Sequence, residues 1–409
     1  MPASAALGLL ASAIRRDLSP SFYWRDHRDT YIGLGEWDVV EAAGPHRLLD
    51  LNRQLTQRAV NESSLTGTRW FGGFSFEPEV HSPFHAFGAA RFVCPRVLWH
   101  WHHDDDHARL QGAAGISEVE LERARAWARE TVVDPQPLSG GSRVDLGSRP
   151  HWDLAMARAR RAFDHLEVRK VVLSRDVLVH RSHEYCPSQV LAGLPARSPA
   201  EASFAFFADG ACFLGLTPER LVEVEPGRIR TEALAGSSSA DDPDGLYLLH
   251  SPKDLDEQRY VVEHVRQALL PLVEDILVPE RPSVRRLGTI AHLCTQIEAR
   301  LNAPSPLTMA NVLHPTPAVG GVPTAAACSV LAQAEGRPRG WYAGGIGWLE
   351  AGPDGPCRGD VRVALRSALV EGCRARVFVG AGIVPSSTAD GEWAETTLKA
   401  SRTLAALGA

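Results

Sequence analysis

Apolar residues follow two different rhythms along the chain, and the change between them divides it. Between residues 20 and 112, aromatic and β-branched residues come in short runs at Ser21–Trp24, Trp70–Phe76 and Arg96–Trp99. Gly and Pro clusters separate these runs, which is the pattern of strands joined by turns. Residues 117–131, rich in Glu, Arg and Ala, predict a helix. The Pro-, Gly- and Ser-rich stretch Pro135–Arg143 follows neither rhythm and marks the best internal boundary. It sets a strand-rich part over 1–145 against a second part over 146–409, the two expected to form one compact unit.

Beyond that boundary Trp152, Ala155, Ala159, Ala162 and Phe163 share one helical face and predict a helix over 152–166. A strand is expected over Lys170–Val179. More strands follow near 203–208, 212–216, 219–225 and 228–233, the last two joined at Pro226 and Gly227. A long helix is expected over 253–277, with short ones near 306–313 and 323–335. Three strands, near 342–349, 361–370 and 374–380, precede a closing helix over 391–407. Neighbouring strands joined by short turns pair antiparallel, so the fold class is α+β and not a doubly wound parallel sheet.

Charge and composition narrow the function classes. The 409 residues include 43 Lys and Arg against 49 Asp and Glu, a net charge of −6 with histidine neutral. That balance argues against nucleic acid or a membrane surface as the main partner. A hydrophobic content of 44% is enough for a full core and excludes disorder on this scale. No stretch approaches the ~20 apolar residues that span a bilayer. Residues 5–13 have the length of a signal-peptide core, but no Lys or Arg precedes them, and a surface helix or frayed end is expected there. The 7 cysteines show no CxxC spacing, which supports neither a disulfide framework nor a zinc ribbon and fits a reducing cytoplasm.

The closing helix carries the sharpest local chemistry. Glu392, Glu395 and Lys399 share one face. They read either as a solvated acidic helix start or as a carboxylate platform for a hard divalent ion. Before them Gly380, Ala381 and Gly382 end a strand and suggest a glycine loop near an anion. In the strand expected over 361–370, Arg366 points away from Val361, Val363 and Leu365, as a surface arginine or a fork for a carboxylate. Lys170 and Glu219 each open a strand. The lysine reads as an edge charge or, if desolvated, as a general base; the glutamate, if buried, as a general acid. His100, His102, His103 and His107 with Asp104–Asp106 read better as a hairpin tip than as a metal site. No P-loop, dinucleotide fingerprint, HExxH or GxSxG is present.

In order along residues 150–409, the segments Arg169–Arg175, Phe213–Leu221, Thr231–Ser237, Lys253–Glu257, His292–Thr295, Leu313–Pro323, Arg339–Gly344, Ala364–Ser367, Gly380–Val384 and Gly391–Glu395 resemble the chorismate-utilising enzymes, and among them the isochorismate synthases of menaquinone and siderophore pathways. The resemblance implies large antiparallel sheets stacked as a sandwich with helices outside. It implies Mg²⁺ as cofactor and chorismate as substrate, in a monomer or weak dimer without a glutamine amidotransferase subunit. Lys170 matches the base that activates water for attack at ring C2, and Glu219 the acid that protonates the departing C4 hydroxyl. Glu257, Glu392 and Glu395 match the metal carboxylates. Arg366, Tyr342 and the backbone of Gly380, Ala381 and Gly382 match the clamp on the enolpyruvyl carboxylate. Gly236, Ser237 and Lys399 face the ring carboxylate, and His292 and Thr295 line the ring pocket.

The related ammonia-using enzymes carry Gln where Lys170 stands, or Lys where Ala235 stands. Water is therefore the expected nucleophile. The alternatives are a salicylate synthase, which goes on to eliminate pyruvate, and a non-catalytic chorismate-binding relative. One departure from the family pattern is Gln258, where a histidine often follows the glutamate.

Overall fold

The aromatic runs of the first third do form strands, and both sheets of the protein take them up. The computed structural model describes residues 3–409 except 63–64, 81, 130–134, 166, 239–241, 243–244, 288–289 and 303. The expected ends of two helices, at 130–131 and 166, thus lie outside the described residues.

Among the described residues one sheet has 11 strands and the other 10. Pro20–Arg25 pairs with Ala202–Ala208 in the first, and Arg69–Phe74 pairs with Gly345–Gly352 in the second, both antiparallel. Each sheet therefore draws strands from both sides of residue 145. Phe22, Phe206, Phe213 and Phe378 of the first sheet share one core with Phe71, Val222, Ile346 and Val361 of the second. The Phe22 and Phe71 rings meet at 4.8 Å, so the sheets face each other across an apolar layer.

Helices cover the outside. Arg149–Asp164 and Thr324–Glu335 pack Trp152, Ala159 and Leu331 against Val171, Leu173 and Ala381. Helix Ala3–Arg15 buries Ala6 to Ala13 in a core shared with Trp127 and Val190, so the N-terminal segment is a packed element and not the surface helix or frayed end expected. Among the described residues no helix is long and apolar enough to cross a membrane.

Six elements build the site: β1 (Lys170–His180), β2 (Arg228–Ser238), α1 (Pro252–Leu269), β3 (Ile290–Arg300), β4 (Arg374–Ile383) and α2 (Ala389–Ala406). Both helices start where a hydroxyl accepts a free backbone N–H, Ser251 from Asp254 and Thr388 from Gly391. β1 and β4 run antiparallel over ten pairs from Arg374↔His180 to Ile383↔Val171.

The structure corrects four further expectations. The helix expected to reach 277 stops at Leu269, with Leu270 still helical as its cap, because Pro271 has no N–H to continue the ladder, and Asp275–Leu277 is a strand. The strand expected over 361–370 is two, Gly355–Val363 in one sheet and Ser367–Glu371 in the other, with Ala364–Arg366 crossing between them. Gly380, Ala381 and Gly382 are paired strand residues of β4 and form no loop. Glu219 precedes its strand, Arg220–Glu225, and sits in the turn from Thr217.

Candidate active site

β1 and β4 bring their ends together beside α1 and α2. Lys170, Glu219, Gly236, Ser237, Glu257, His292, Tyr342, Arg366, Gly380, Gly382, Glu392, Glu395 and Lys399 line a single pocket there. Two expected residues do not line it. Ala381 points to the opposite face of β4, into the core under Trp152 and Leu331, because strand neighbours alternate. Thr295 lies behind the pocket, where its hydroxyl accepts from Gln258 Nε2 at 3.0 Å. The same Gln258 amide donates to the Ala233 carbonyl at 3.0 Å, which ties α1 to β2.

Lys170 opens β1, yet only 1% of its side chain is exposed. The short strand Gly321–Val322 pairs with Lys170 and Val171 and covers what would otherwise be an edge. Its Nζ meets Glu257 Oε1 at 2.7 Å. Burial opposes the charge on Glu257, but Lys170, with Lys399 and Lys253 behind it, holds that carboxyl below its ordinary value. The pair needs Gly382: a Cβ there would stand 3.0 Å from Glu257 Oε1 and 3.2 Å from Lys170 Cε.

Glu219 has the opposite fate. Burial, reinforced by Glu232, pushes its carboxyl up to about 8 against the pull of Lys170 and Arg285. Glu232 is itself held by Arg285 at 2.7 Å and by the backbone N–H of Arg220 at 2.9 Å. The pocket thus contains a carboxylic acid that keeps its proton at neutral pH and a primary amine, the two partners that acid–base chemistry requires.

On the opposite wall, His292 is pushed down to about 3 by burial, with Arg366 and Lys399 adding to the effect. The neutral ring donates from Nδ1 to the Gly236 carbonyl at 2.9 Å and accepts at Nε2 from Arg366 Nη2 at 3.3 Å. Ser237 Oγ lies 3.1 Å from Nδ1. Tyr342 stacks on Phe378 with ring centres 5.5 Å apart, and a Cβ at Gly380 would meet its hydroxyl at 2.9 Å. Burial raises the Tyr342 phenol well above its ordinary value, so it remains a donor.

The acidic face of α2 turns into the pocket. Lys399 Nζ pairs with Glu395 Oε1 at 2.7 Å and donates to the Gly380 carbonyl at 3.3 Å. Glu392 accepts from the Ser387 hydroxyl at Oε1, at 2.6 Å, while its buried Oε2 has no hydrogen-bond partner among the described residues. Burial raises its carboxyl, against Ser387 and with Glu395 adding to the rise. Glu257, Glu392 and Glu395 offer carboxylate oxygens of the kind a hard divalent cation takes, and the orphaned Oε2 fits such a ligand. As they stand, Glu257 and Glu395 bond to lysines, and among the described residues no three His, Cys, Asp or Glu side chains already form a metal-holding group.

Sequence reasoning gave no role to Arg339, which also lines the pocket. It pairs with Glu335 at 2.5 Å, donates to the carbonyls of Val319 (2.7 Å) and Val172, and lies over the Phe76 ring. Glu335 in turn accepts from the Ser174 N–H at 2.7 Å, so this pair holds β1 in place. Away from the pocket, His100 and His102 end a strand leading to the turn at Asp104–Asp106, as expected, and His100 Nε2 bonds Asp29 at 2.7 Å.

A family model described as chorismate binding enzyme matches residues 3–408. The chain is 34% identical over 415 residues to the salicylate biosynthesis isochorismate synthase of Pseudomonas aeruginosa, covering 96% of this chain and 85% of that one. It is 30% identical over 419 residues to the isochorismate synthase MenF of Bacillus subtilis, covering 95% and 88%. The solved structure of the menaquinone-specific isochorismate synthase from Escherichia coli superposes with a TM-score of 0.78 at 26% identity, over 98% of this chain and 91% of that one. Anthranilate synthase component I from Streptococcus pneumoniae, at 20% identity and a TM-score of 0.76 over 92% of each chain, shares the fold.

Proposed function

The chain belongs to the chorismate binding enzyme family, and on that premise we propose that it is an isochorismate synthase, adding water at C2 of chorismate and releasing the C4 hydroxyl with Mg²⁺ as cofactor. The observation that carries this reading is the carboxyl of Glu219, which retains a proton at neutral pH in the pocket it shares with Lys170. A departing hydroxyl must gain a proton and an attacking water must lose one. Glu219 gives its proton to the C4 oxygen, and Lys170 Nζ, as the free amine released from its pairing with Glu257, takes one from the water that attacks C2.

Chorismate is a dianion, and each carboxylate has its own wall. Arg366, Tyr342 and the β4 backbone at Gly380 and Gly382 hold the enolpyruvyl carboxylate. Gly236, Ser237 and Lys399 face the ring carboxylate, and the neutral His292 closes the ring pocket without adding charge. Glu257, Glu392 and Glu395 would hold Mg²⁺. The chemistry that ion supplies when bound is neutralisation of the ring carboxylate.

The enzyme acts on this small molecule as a monomer or weak dimer, without a glutamine amidotransferase subunit and away from nucleic acid and membrane. All seven cysteines are unpaired, which supports a reducing cytoplasm as its place of work. The test is mass-resolved product analysis of purified protein with chorismate and Mg²⁺, with and without ammonium. A mixture of chorismate and isochorismate, lost with EDTA, is expected. Salicylate with pyruvate at enzymatic rates would make it a salicylate synthase, and an aminated product would overturn water as nucleophile. Binding without turnover would make it a non-catalytic relative.

A further inference from the structure

Arg366 enters the pocket on strained backbone. Its φ of 48° lies in the left-handed region, which non-glycine residues avoid unless the surroundings impose it. Only 16% of its side chain is exposed. Nη2 donates to His292, but among the described residues no hydrogen bond engages Nη1. The carboxylate facing that nitrogen, Glu201 Oε1, stands 4.0 Å away, beyond hydrogen-bond reach.

Glu201 is buried and engaged elsewhere. Oε1 accepts from Arg402 Nη1 at 2.8 Å, and Oε2 accepts from the backbone N–H groups of Arg197 and Ser198 at 2.7 and 3.2 Å. Arg402 projects from α2, the helix that also carries Glu395 and Lys399, and its other arm donates to the Pro195 carbonyl. A buried carboxylate and a buried guanidinium this close would ordinarily close into a bonded pair, since such pairs are the strong ones and an unpaired buried charge is costly. Arg402 bonds the same oxygen that faces Arg366 and anchors it from the α2 side, 4.0 Å from Arg366 Nη1.

We propose that Arg402 is a positioning residue that holds Glu201 back from Arg366. The Arg366 guanidinium then has a compensating charge nearby but keeps part of its hydrogen-bonding fork open for the substrate carboxylate. The inference rests on the reading of Arg366 as the carboxylate clamp. It adds two residues, Glu201 and Arg402, that lie outside the substrate contacts.

Arg402→Met keeps the aliphatic stem and removes the guanidinium. Glu201 then pairs with Arg366, chorismate has to compete, and KM rises about tenfold, the weight of one charge-assisted hydrogen bond, while kcat holds. Adding Glu201→Gln removes the competitor. The amide oxygen still accepts from Arg197 and Ser198, so the double variant returns KM toward the parent value. Glu201→Gln alone leaves KM at or below that of the parent and tests the same idea if Arg402→Met does not fold. A parental KM in Arg402→Met, a double variant no better than the single, or a raised KM in Glu201→Gln would each overturn the proposal.

Direct calorimetric binding of chorismate to Arg366→Met separates the two readings. Parental affinity there would remove the clamp and this inference together. Lost affinity there, with Arg402→Met unaffected, would remove the positioning role alone.

Discussion

Glutamine has the shape of a protonated glutamic acid and no proton to give, so Glu219→Gln separates the proposed acid from its side chain. Burial and Glu232 together move the Glu219 carboxyl from 4.5 to about 8. At pH 7 a group titrating at about 8 is protonated in about nine molecules of ten, and one at 4.5 in about three of a thousand. The surroundings therefore enlarge the competent fraction about 300-fold. At pH 9 the fraction falls to about one in eleven. The assay is isochorismate formation at saturating Mg²⁺ and chorismate well below KM across that range, where kcat/KM reports the group in the free enzyme. An alkaline limb centred near 8 is expected in the parent, with no turnover in Glu219→Gln at any pH although chorismate still binds. A parent rate that stays flat through pH 9, or a variant that turns over normally, would refute the assignment.

The same shift has a stability counterpart with a definite sign. The folded-state pKa lies above the unfolded one, so the folded protein holds this proton more tightly. That contribution is present below 4.5 and is lost as pH rises through about 8. Glu219→Gln cannot ionise, and its Tm should gain on the parent as pH is raised from 5 to 9. A pH-independent difference in thermal melts would remove burial of this carboxyl as the cause.

Four further substitutions probe the rest of the pocket. Lys170→Ala should abolish water addition while chorismate binding persists by calorimetry; normal product formation would end its role as the base. Gly382→Ala places a methyl group against both members of the Lys170–Glu257 pair, and because misplacing a catalytic group by about 1 Å can cost about 100-fold, kcat should fall with the circular dichroism spectrum unchanged. Glu392→Gln and Glu395→Gln should each raise the Mg²⁺ concentration needed for half-maximal activity, and an unchanged metal titration would take that residue off the ligand set.

Much of the fold could be read locally, and the misreadings share one physical cause. Ser148, Ser251 and Thr388 begin their helices by accepting backbone N–H groups within a single turn, a signal contained in adjacent residues. β3 escaped notice because His292 and Thr295 are polar yet buried, so the apolar rhythm that marks a strand is interrupted where it matters. Lys170 resembled an edge charge because the strand that covers it, Gly321–Val322, lies some 150 residues further on. The alternation of Val361, Val363 and Leu365 runs straight through the crossing at Ala364–Arg366. A tight local turn from Leu365 N to the Val363 carbonyl breaks the strand there, and tertiary bonds from Ala364 N to the Gly344 carbonyl and from Leu216 N to the Arg366 carbonyl fix it. The roles of Glu201 and Arg402 depend on a contact between residues 201 positions apart, for which a local pattern holds no trace. The resemblance, by contrast, reached most of the pocket because its motifs lie on the elements that converge there. It said nothing of where two side chains point: strand alternation turns that of Ala381 to the opposite face of β4, and Gln258 holds that of Thr295 behind the pocket.

The crossing also explains how the pocket keeps a cation fixed among groups that titrate. Ala343 and Arg366 are both left-handed non-glycine residues, with φ of 60° and 48°, and each bonds to a histidine. His314 Nε2 donates to the Ala343 carbonyl at 2.9 Å, and His292 Nε2 accepts from Arg366. Burial pushes both rings down to about 3, so neither changes charge in the range where Glu219 does. Neutrality is required of His292 in particular. Its Nδ1–H is committed to the Gly236 carbonyl, which leaves Nε2 as a lone pair for Arg366, whereas a protonated ring would present a second N–H and a second positive charge to the guanidinium. The two strained residues are thus held by partners that stay the same across the working pH range. Burial lowers the Arg366 guanidinium only to about 10, so between pH 6 and 9 a loss of activity as pH rises is assigned to Glu219 and not to the clamp beside it.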